Sequence, residues 1–175
     1  EEESPIVNPI MAMVEQVFGE PDLGPRGGWL RQVHALSEEL RGSGYSWDWV
    51  NDESLEAALS VDGGIEVRGQ RYEGLVLFDV DRMPVALAEH LMGLGLEGAP
   101  ITILGELPEH QPGLLDHVQG DQGVRDAMIE ILSGPKVIRS TTESLLADLT
   151  ELLGVLPAYE AWPASPELRH IQRRL

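Results

Sequence analysis

Cysteine is absent from the 175 residues of this chain. That omission excludes a disulfide scaffold, thiolate zinc sites and every cysteine-nucleophile mechanism. Basic residues are scarce: 12 Lys and Arg stand against 30 Asp and Glu, for a formal net charge of −18. Lys136 is the only lysine. Such a surface is repelled by phosphate backbones and anionic lipid, so neither nucleic acid nor a membrane is expected as a partner. Long apolar runs are also missing. The longest hold about five residues, against the ~18 needed to span a bilayer. No basic n-region leads into an apolar h-region, so no signal peptide is visible. Opening Glu1-Glu2-Glu3 without methionine, the chain reads as a fragment of something larger. What remains is the length of one ordinary domain, whose fold buries roughly 70% of the unfolded surface without staples.

The apolar pattern predicts about six helices alternating with about five strands. Asn8-Pro9 opens the first helix, with Ile10, Met13, Val14, Val17 and Phe18 on one face. A second helix is expected from Trp29 to Arg41, with Trp29, Leu30, Val33, Leu36 and Leu40 inward and Gly42 as its stop. Tyr45 to Val50 alternates aromatic with polar residues and reads as an edge strand. Asn51 caps a short helix holding Leu55 and Ala58, with Asp52 and Glu53 on the positive end of its dipole. Val61 to Ile65 reads as a hairpin and Arg68 to Arg71 as a further turn. Leu75-Val76-Leu77-Phe78 and Ile101-Thr102-Ile103-Leu104 are short continuous apolar runs, the mark of strands buried on both faces of a parallel sheet. Pro84 starts a helix between them. Val124, Ala127, Met128, Ile131 and Leu132 define another, and Lys136 to Arg139 a brief strand. Ser140 with Glu143 matches a capping box for a last helix carrying Leu145, Leu149, Leu152 and Leu153. The expected fold is α/β, a three-layer sandwich around a mostly parallel sheet.

Charge and proline divide the chain near its end. The stretch Trp162-Pro163-Ala164-Ser165-Pro166 opens the only basic segment, in which Arg169, Arg173 and Arg174 outnumber Glu167. A boundary is therefore expected within 157–166, with residues 1–160 forming the domain and 161–175 a linker and a following strand.

Several constellations carry candidate chemistry. Asp79 and Asp81, in Leu77-Phe78-Asp79-Val80-Asp81 at a strand end, look like the opening motif of haloacid-dehalogenase-type phosphatases. There the first aspartate attacks phosphorus and the second handles protons, with Asp121 and Asp126 able to pass for the magnesium-binding acids. The match fails at Met83, where Thr or Val belongs, and at Lys136, which follows the late acids instead of preceding them. Asp is in any case common where a strand gives way to a loop. Glu109, His110, Asp116, His117 and Asp121 are the best metal-type cluster, but two histidines seven apart match no zinc spacing, and solvated loop residues are the simpler account. His34, His90 and His170 are isolated and read as surface or satisfied core histidines. Tyr45, Trp47 and Trp49 would share one face of a strand, either as a sugar-stacking platform or as core filling between sheet and helix. Neither a Gly-x-Ser-x-Gly elbow nor a Gly-x-Gly-x-x-Gly phosphate loop occurs. No catalytic, cofactor-binding or metal-binding residue is assigned on these grounds.

A set of segments, in order, resembles the α-L-rhamnosidase-like glycoside hydrolases of family 106. They are Gly44-Tyr45-Ser46-Trp47-Asp48-Trp49-Val50-Asn51-Asp52-Glu53-Ser54-Leu55, then Gly69-Gln70-Arg71-Tyr72-Glu73-Gly74-Leu75-Val76-Leu77 and Met83-Pro84. Ile103-Leu104-Gly105-Glu106-Leu107-Pro108 and the closing Leu168-Arg169-His170-Ile171-Gln172-Arg173-Arg174-Leu175 complete the set. The resemblance implies an accessory α/β domain related to the trimerisation domain of some β-galactosidases, flavodoxin-like and akin to class I amidotransferases. It implies no catalytic residue in this chain, because the family's catalytic carboxylates sit in a separate barrel. It further implies that the partners are neighbouring domains of a parent enzyme, or a second copy in a homo-oligomer. One departure is that only Pro5-Ile6-Val7 stands where the family's first strand is expected.

Overall fold

A computed structural model describes residues 24–113 and 117–158. The expected helix from Asn8, the Pro5-Ile6-Val7 segment, Asp116 and the tail from Ala161 lie outside the described residues. The chain divides into two compact units between Ala35 and Leu36. Of the first unit, the described part is the beginning of helix α1 (Gly24–Gly42), which starts about five residues earlier than expected. The glycines and proline ahead of Trp29 therefore belong to the helix: Pro25 is tolerated in a first turn, where its missing N–H has no intrahelical acceptor to lose. Val33 is buried as expected, whereas Trp29 and Leu30 are exposed.

Everything else belongs to the second unit. Its centre is a sheet of three parallel strands in the order β4 (Leu75–Phe78), β5 (Ile101–Leu104) and β6 (Val137–Ser140). Leu75 pairs with Ile101 and Ile101 with Val137, and the register runs on to Phe78, Leu104 and Ser140. Helix α3 (Val85–Leu96) connects the first two strands, and α4 (His117–Glu130) with a 3₁₀ turn (Ile131–Ser133) connects the next two. Alternation along the strands sends side chains to two faces. Leu77, Ile101, Ile103 and Val137 meet Leu87, Ala88 and Leu91 of α3 and Val124, Ala127 and Met128 of α4. Val76, Phe78, Leu104 and Ile138 meet Leu36 and Leu40 at the end of α1 and Leu145 and Leu149 of α5 (Leu145–Glu151). This is an α/β arrangement, with a parallel sheet flanked by helices. Gly134 marks its tightest turn: a Cβ there would lie 2.4 Å from the carbonyl oxygen of Gly95, at the end of α3.

The remaining strands are not part of that sheet. β1 (Leu59–Val61), β2 (Gly64–Val67) and β3 (Gln70–Tyr72) form a separate antiparallel meander through the expected turns at Val61 to Ile65 and Arg68 to Arg71, so the parallel sheet expected is present but holds only three of the strands. Asp62-Gly63 and Arg68-Gly69 have φ of 49° and 75°, and 50° and 79°, the double left-handed signature of two-residue type I′ hairpins. Ile65 of the middle strand is buried and joins Leu55 and Ala58 in the cluster beneath α3. Helix α2 (Asp52–Glu56) is capped as expected, Asn51 Oδ1 accepting from the Ser54 amide at 3.0 Å.

Tyr45 to Val50 is not a strand. Gly44, at φ 87°, ends α1 by letting the Tyr45 amide turn back to the Leu40 carbonyl. The Tyr45 hydroxyl then reaches Thr150 Oγ1 at 2.9 Å and the Val155 carbonyl at 3.1 Å, and Trp47 packs against the α5 cluster. Side-chain anchorage of this kind produces aromatic–polar alternation without any ladder.

Candidate functional site

In open α/β sheets, ligands gather outside the carboxyl ends of the strands. That edge here carries three groups of polar residues. After β4, Asp79 holds a left-handed backbone (φ 47°) while its amide donates to the Leu104 carbonyl at 2.8 Å. Asp81 pairs with its exposed neighbour Arg82 at 3.2 Å, and its carbonyl accepts from the Glu109 and His110 amides. Both aspartates face solvent. After β5, His110 Nδ1 stands 3.1 Å from Asp121 Oδ2, and the Gln111 amide donates to Asp121 Oδ1 at 2.9 Å. The backbone amide first, then the imidazole, hold the Asp121 carboxyl below the usual carboxylate range. Arg139 Nη2 closes the neighbouring loop, reaching the Gly105 carbonyl at 3.2 Å and Glu106 Oε2 at 3.0 Å.

After β6, the expected capping box does not form. Helix α5 begins at Leu145, and neither Ser140 nor Glu143 caps it; Ser144 occupies the cap position without a side-chain cap bond. The Ser140 hydroxyl instead donates to Asp148 Oδ2 at 2.6 Å, and the Ser144 hydroxyl donates to the same oxygen at 2.8 Å. Both hydroxyl protons thus go to one carboxylate, a charge-assisted contact, while Ser144 Oγ still accepts from the Thr141 amide at 3.2 Å. Nothing in the sequence reading singled out this knot, although Ser140, Ser144 and Asp148 recur every four residues. The Glu143 carboxyl is lowered by its own amide and by the Thr141 hydroxyl.

The phosphatase-type residues are not brought together. Lys136 precedes β6, at the amino end of the sheet, with its ammonium beside the Asp62-Gly63 turn. A four-residue strand of roughly 3.3 Å per residue separates that end from the edge where Asp79 stands. Asp126 accepts from Gln122 at 2.7 Å, and Asp121 is committed to the loop after β5. Of the metal-type cluster, His110 and Asp121 do meet, Glu109 lends its carbonyl to Arg125, and His117 is exposed at the start of α4. Among the described residues no three His, Asp or Glu side chains gather as a metal site. His90 is a satisfied histidine, its Nε2 2.9 Å from the Ala58 carbonyl, and His34 is exposed; His170 lies outside the described residues.

The second candidate region is the ledge formed by residues 45–50. Tyr45 and Trp47 are half-buried against the α5 cluster, as the core reading expects, but Trp49 is 67% exposed. The two indoles meet edge to face, with centroids 5.3 Å apart and planes at 76°. The Arg41 guanidinium sits 5.9 Å from the Trp47 ring centroid and is also paired with Glu38. On the other side Asp48 accepts from the Tyr72 hydroxyl at 3.1 Å. Partial burial, then this carboxylate, raise the Tyr72 phenol above its ordinary range.

No protein-family model, curated protein or solved structure matches this chain. Among the described residues no helix is long and apolar enough to cross a membrane.

Proposed function

We propose that this chain is a non-catalytic accessory domain of a larger carbohydrate-active enzyme of the α-L-rhamnosidase-like kind, a three-layer, flavodoxin-like sandwich that shapes a neighbouring domain or an oligomer interface. The observation that carries the reading is the ledge. The segment bearing the fullest part of the resemblance, Gly44 to Leu55, presents the most exposed aromatic side chain among the described residues, Trp49, on a well-anchored backbone. Tryptophan, apolar in its body with one polar handle, is a residue type enriched at interfaces. At the carboxyl edge of the sheet, in contrast, Asp121, Asp148 and Glu106 are engaged by neighbouring side chains, and the exposed aspartates after β4 face solvent.

The rival is a phosphatase in which Asp79 attacks phosphorus. It needs a cation beside Asp79 to neutralise phosphate, and the only lysine stands at the opposite end of the sheet. Two measurements decide between them. Sequencing the reading frame on both sides of this chain is expected to show a glycoside-hydrolase barrel before it and a β-sandwich after it. A frame encoding an unrelated protein would overturn the proposal, as would magnesium-dependent phosphatase turnover that Asp79→Asn abolishes.

A further inference from the structure

We infer that the Trp47–Trp49 ledge is a docking site for an arginine side chain presented by a basic segment of a partner protein. This deepens the interface part of the reading above and rests on it; it does not depend on the parentage of the chain.

The first support is a cation already in place. Arg41 lies over the Trp47 ring at 5.9 Å while the Glu38 carboxylate closes on its guanidinium. This surface therefore already seats one arginine between an indole face and a carboxylate. The second is that the same pair of chemical features stands open next to it. Trp49 is 67% exposed, and the exposed Asp48 and Asp52 lie within three residues of it along the chain, whereas Glu53, one residue further, is paired with Arg68 at 3.5 Å. The two indoles meet edge to face at 76°, and Trp49 keeps two-thirds of its surface in water. The indole is the best of the aromatic faces for a cation. Third, the carboxylate nearest in sequence is positioned: Asp48 Oδ2 takes the Tyr72 hydroxyl at 3.1 Å, which restricts the side chain and leaves Oδ1 available to a donor.

Charge selects the occupant. At −18 the chain draws a cationic segment from a distance and repels an acidic one. Arginine is favoured over lysine because its planar, weakly hydrated guanidinium stacks on an indole and offers a fork to a carboxylate at the same time. A neutral sugar could use the ring face and donate hydroxyls to a carboxylate, but it would gain nothing from the chain's net charge.

The test is calorimetric titration of the full chain with a hexapeptide of alternating arginine and glycine, beside analogues in which arginine is replaced by lysine or by its neutral isostere citrulline. The arginine peptide is expected to bind, with the citrulline analogue weaker by about fivefold or more and the lysine analogue in between. Trp49→Ala and Trp49→Leu should each weaken the arginine peptide by about fivefold, and Trp49→Phe by less, since only the last keeps a π-face. A loss under about twofold in both Trp49→Ala and Trp49→Leu would reduce the binding to general acidic attraction and overturn the site. Binding of cellohexaose that Trp49→Ala abolishes, with the arginine peptide silent, would overturn it in favour of a sugar platform. The flanking reading frame reports on the parentage independently, so the two readings can fail separately.

Discussion

The carboxyl edge of the parallel sheet and the tryptophan ledge differ in what their side chains already touch. At the edge, Ser140 and Ser144 converge on Asp148, His110 on Asp121, and Arg139 on Glu106. These contacts tie the loops after β5 and β6 to α4 and α5, so residue types suited to chemistry are spent on holding the sheet's connections. At the ledge the backbone is equally well anchored, by Tyr45, yet its largest side chain points into water. The difference teaches where to look for an outside partner. A satisfied polar network gains little from a ligand that must first displace it, whereas an exposed indole gains from any cover.

If that contrast is right, the molecule breaks most easily in its core, less easily at the edge, and hardly at all at the ledge. The largest effect is expected for Leu91→Ala. Leu91 is fully buried where α3 meets the sheet, and its truncation should cost about 3 kcal/mol of unfolding free energy, read from denaturant midpoints.

Asp148→Ala comes next. It strips the shared acceptor from two hydroxyls, one of them on the buried Ser140, and is expected to cost about 2 kcal/mol. Asp148→Asn, which keeps an acceptor oxygen, should lose clearly less. Equal losses in the two variants would mean that packing, not the hydroxyl contacts, fixes α5. A smaller effect of opposite sign is expected in the middle of β5. The Thr102 hydroxyl is buried without a hydrogen-bond partner among the described residues, so Thr102→Val should stabilise by about 1 kcal/mol. A destabilised Thr102→Val would show that the hydroxyl has a partner after all.

How much of this was legible depended on whether a residue's environment is set locally. Ile101 to Leu104 announces a doubly covered strand because every position must be apolar or small enough to be buried, and all four positions are buried. Asp62-Gly63 and Asn51 were equally readable, since left-handed turns and helix caps restrict residue type at the site itself. The misreadings have a common cause. Tyr45 to Val50 carries a strand's alternation, but a covering segment anchored through Tyr45 and Trp47 shows the same period without a ladder. Ser140 and Glu143 satisfy a capping pattern, yet the Ser140 hydroxyl is oriented by Asp148, eight residues on, which the local pattern does not see. Lys136 and Asp79 could be judged incompatible from their order in the sequence. Their separation to opposite ends of the sheet, and the existence of two sheets instead of one, required the register.

The edge also carries a pH signature on the acid side. Folding lowers the Asp121 carboxyl, so the unfolded chain takes up that proton first as the solution is acidified. Its stabilising contribution is complete above the ordinary aspartate value of about 4 and is lost as pH falls through the lower, folded value. Comparing denaturant midpoints at about pH 6 and about pH 3, Asp121→Asn is expected to flatten the acid side of the stability profile relative to the native chain. A profile of unchanged steepness would show that the His110–Asp121–Gln111 contact does not hold the loop in solution.

The smallest effect is expected at Trp49. Burial of a large apolar side chain stabilises a fold only through the area withdrawn from water, and two-thirds of this one is still in water. Its edge-to-face contact with Trp47 is worth roughly 0.5–1.5 kcal/mol when fully packed, and less where one partner is open to solvent. Against that loss stands the release of an ordered indole into a smaller side chain with no rotamer entropy to lose. Trp49→Ala should therefore change the unfolding free energy by no more than about 0.5 kcal/mol, within the range of ordinary surface substitutions. Trp47→Ala offers the internal contrast. Trp47 packs against the α5 cluster and beneath Arg41, so its removal should cost several times more. Equal losses at 47 and 49 would mean that both indoles hold the fold together, and the ledge would then be core that happens to be visible, not a surface kept for a partner.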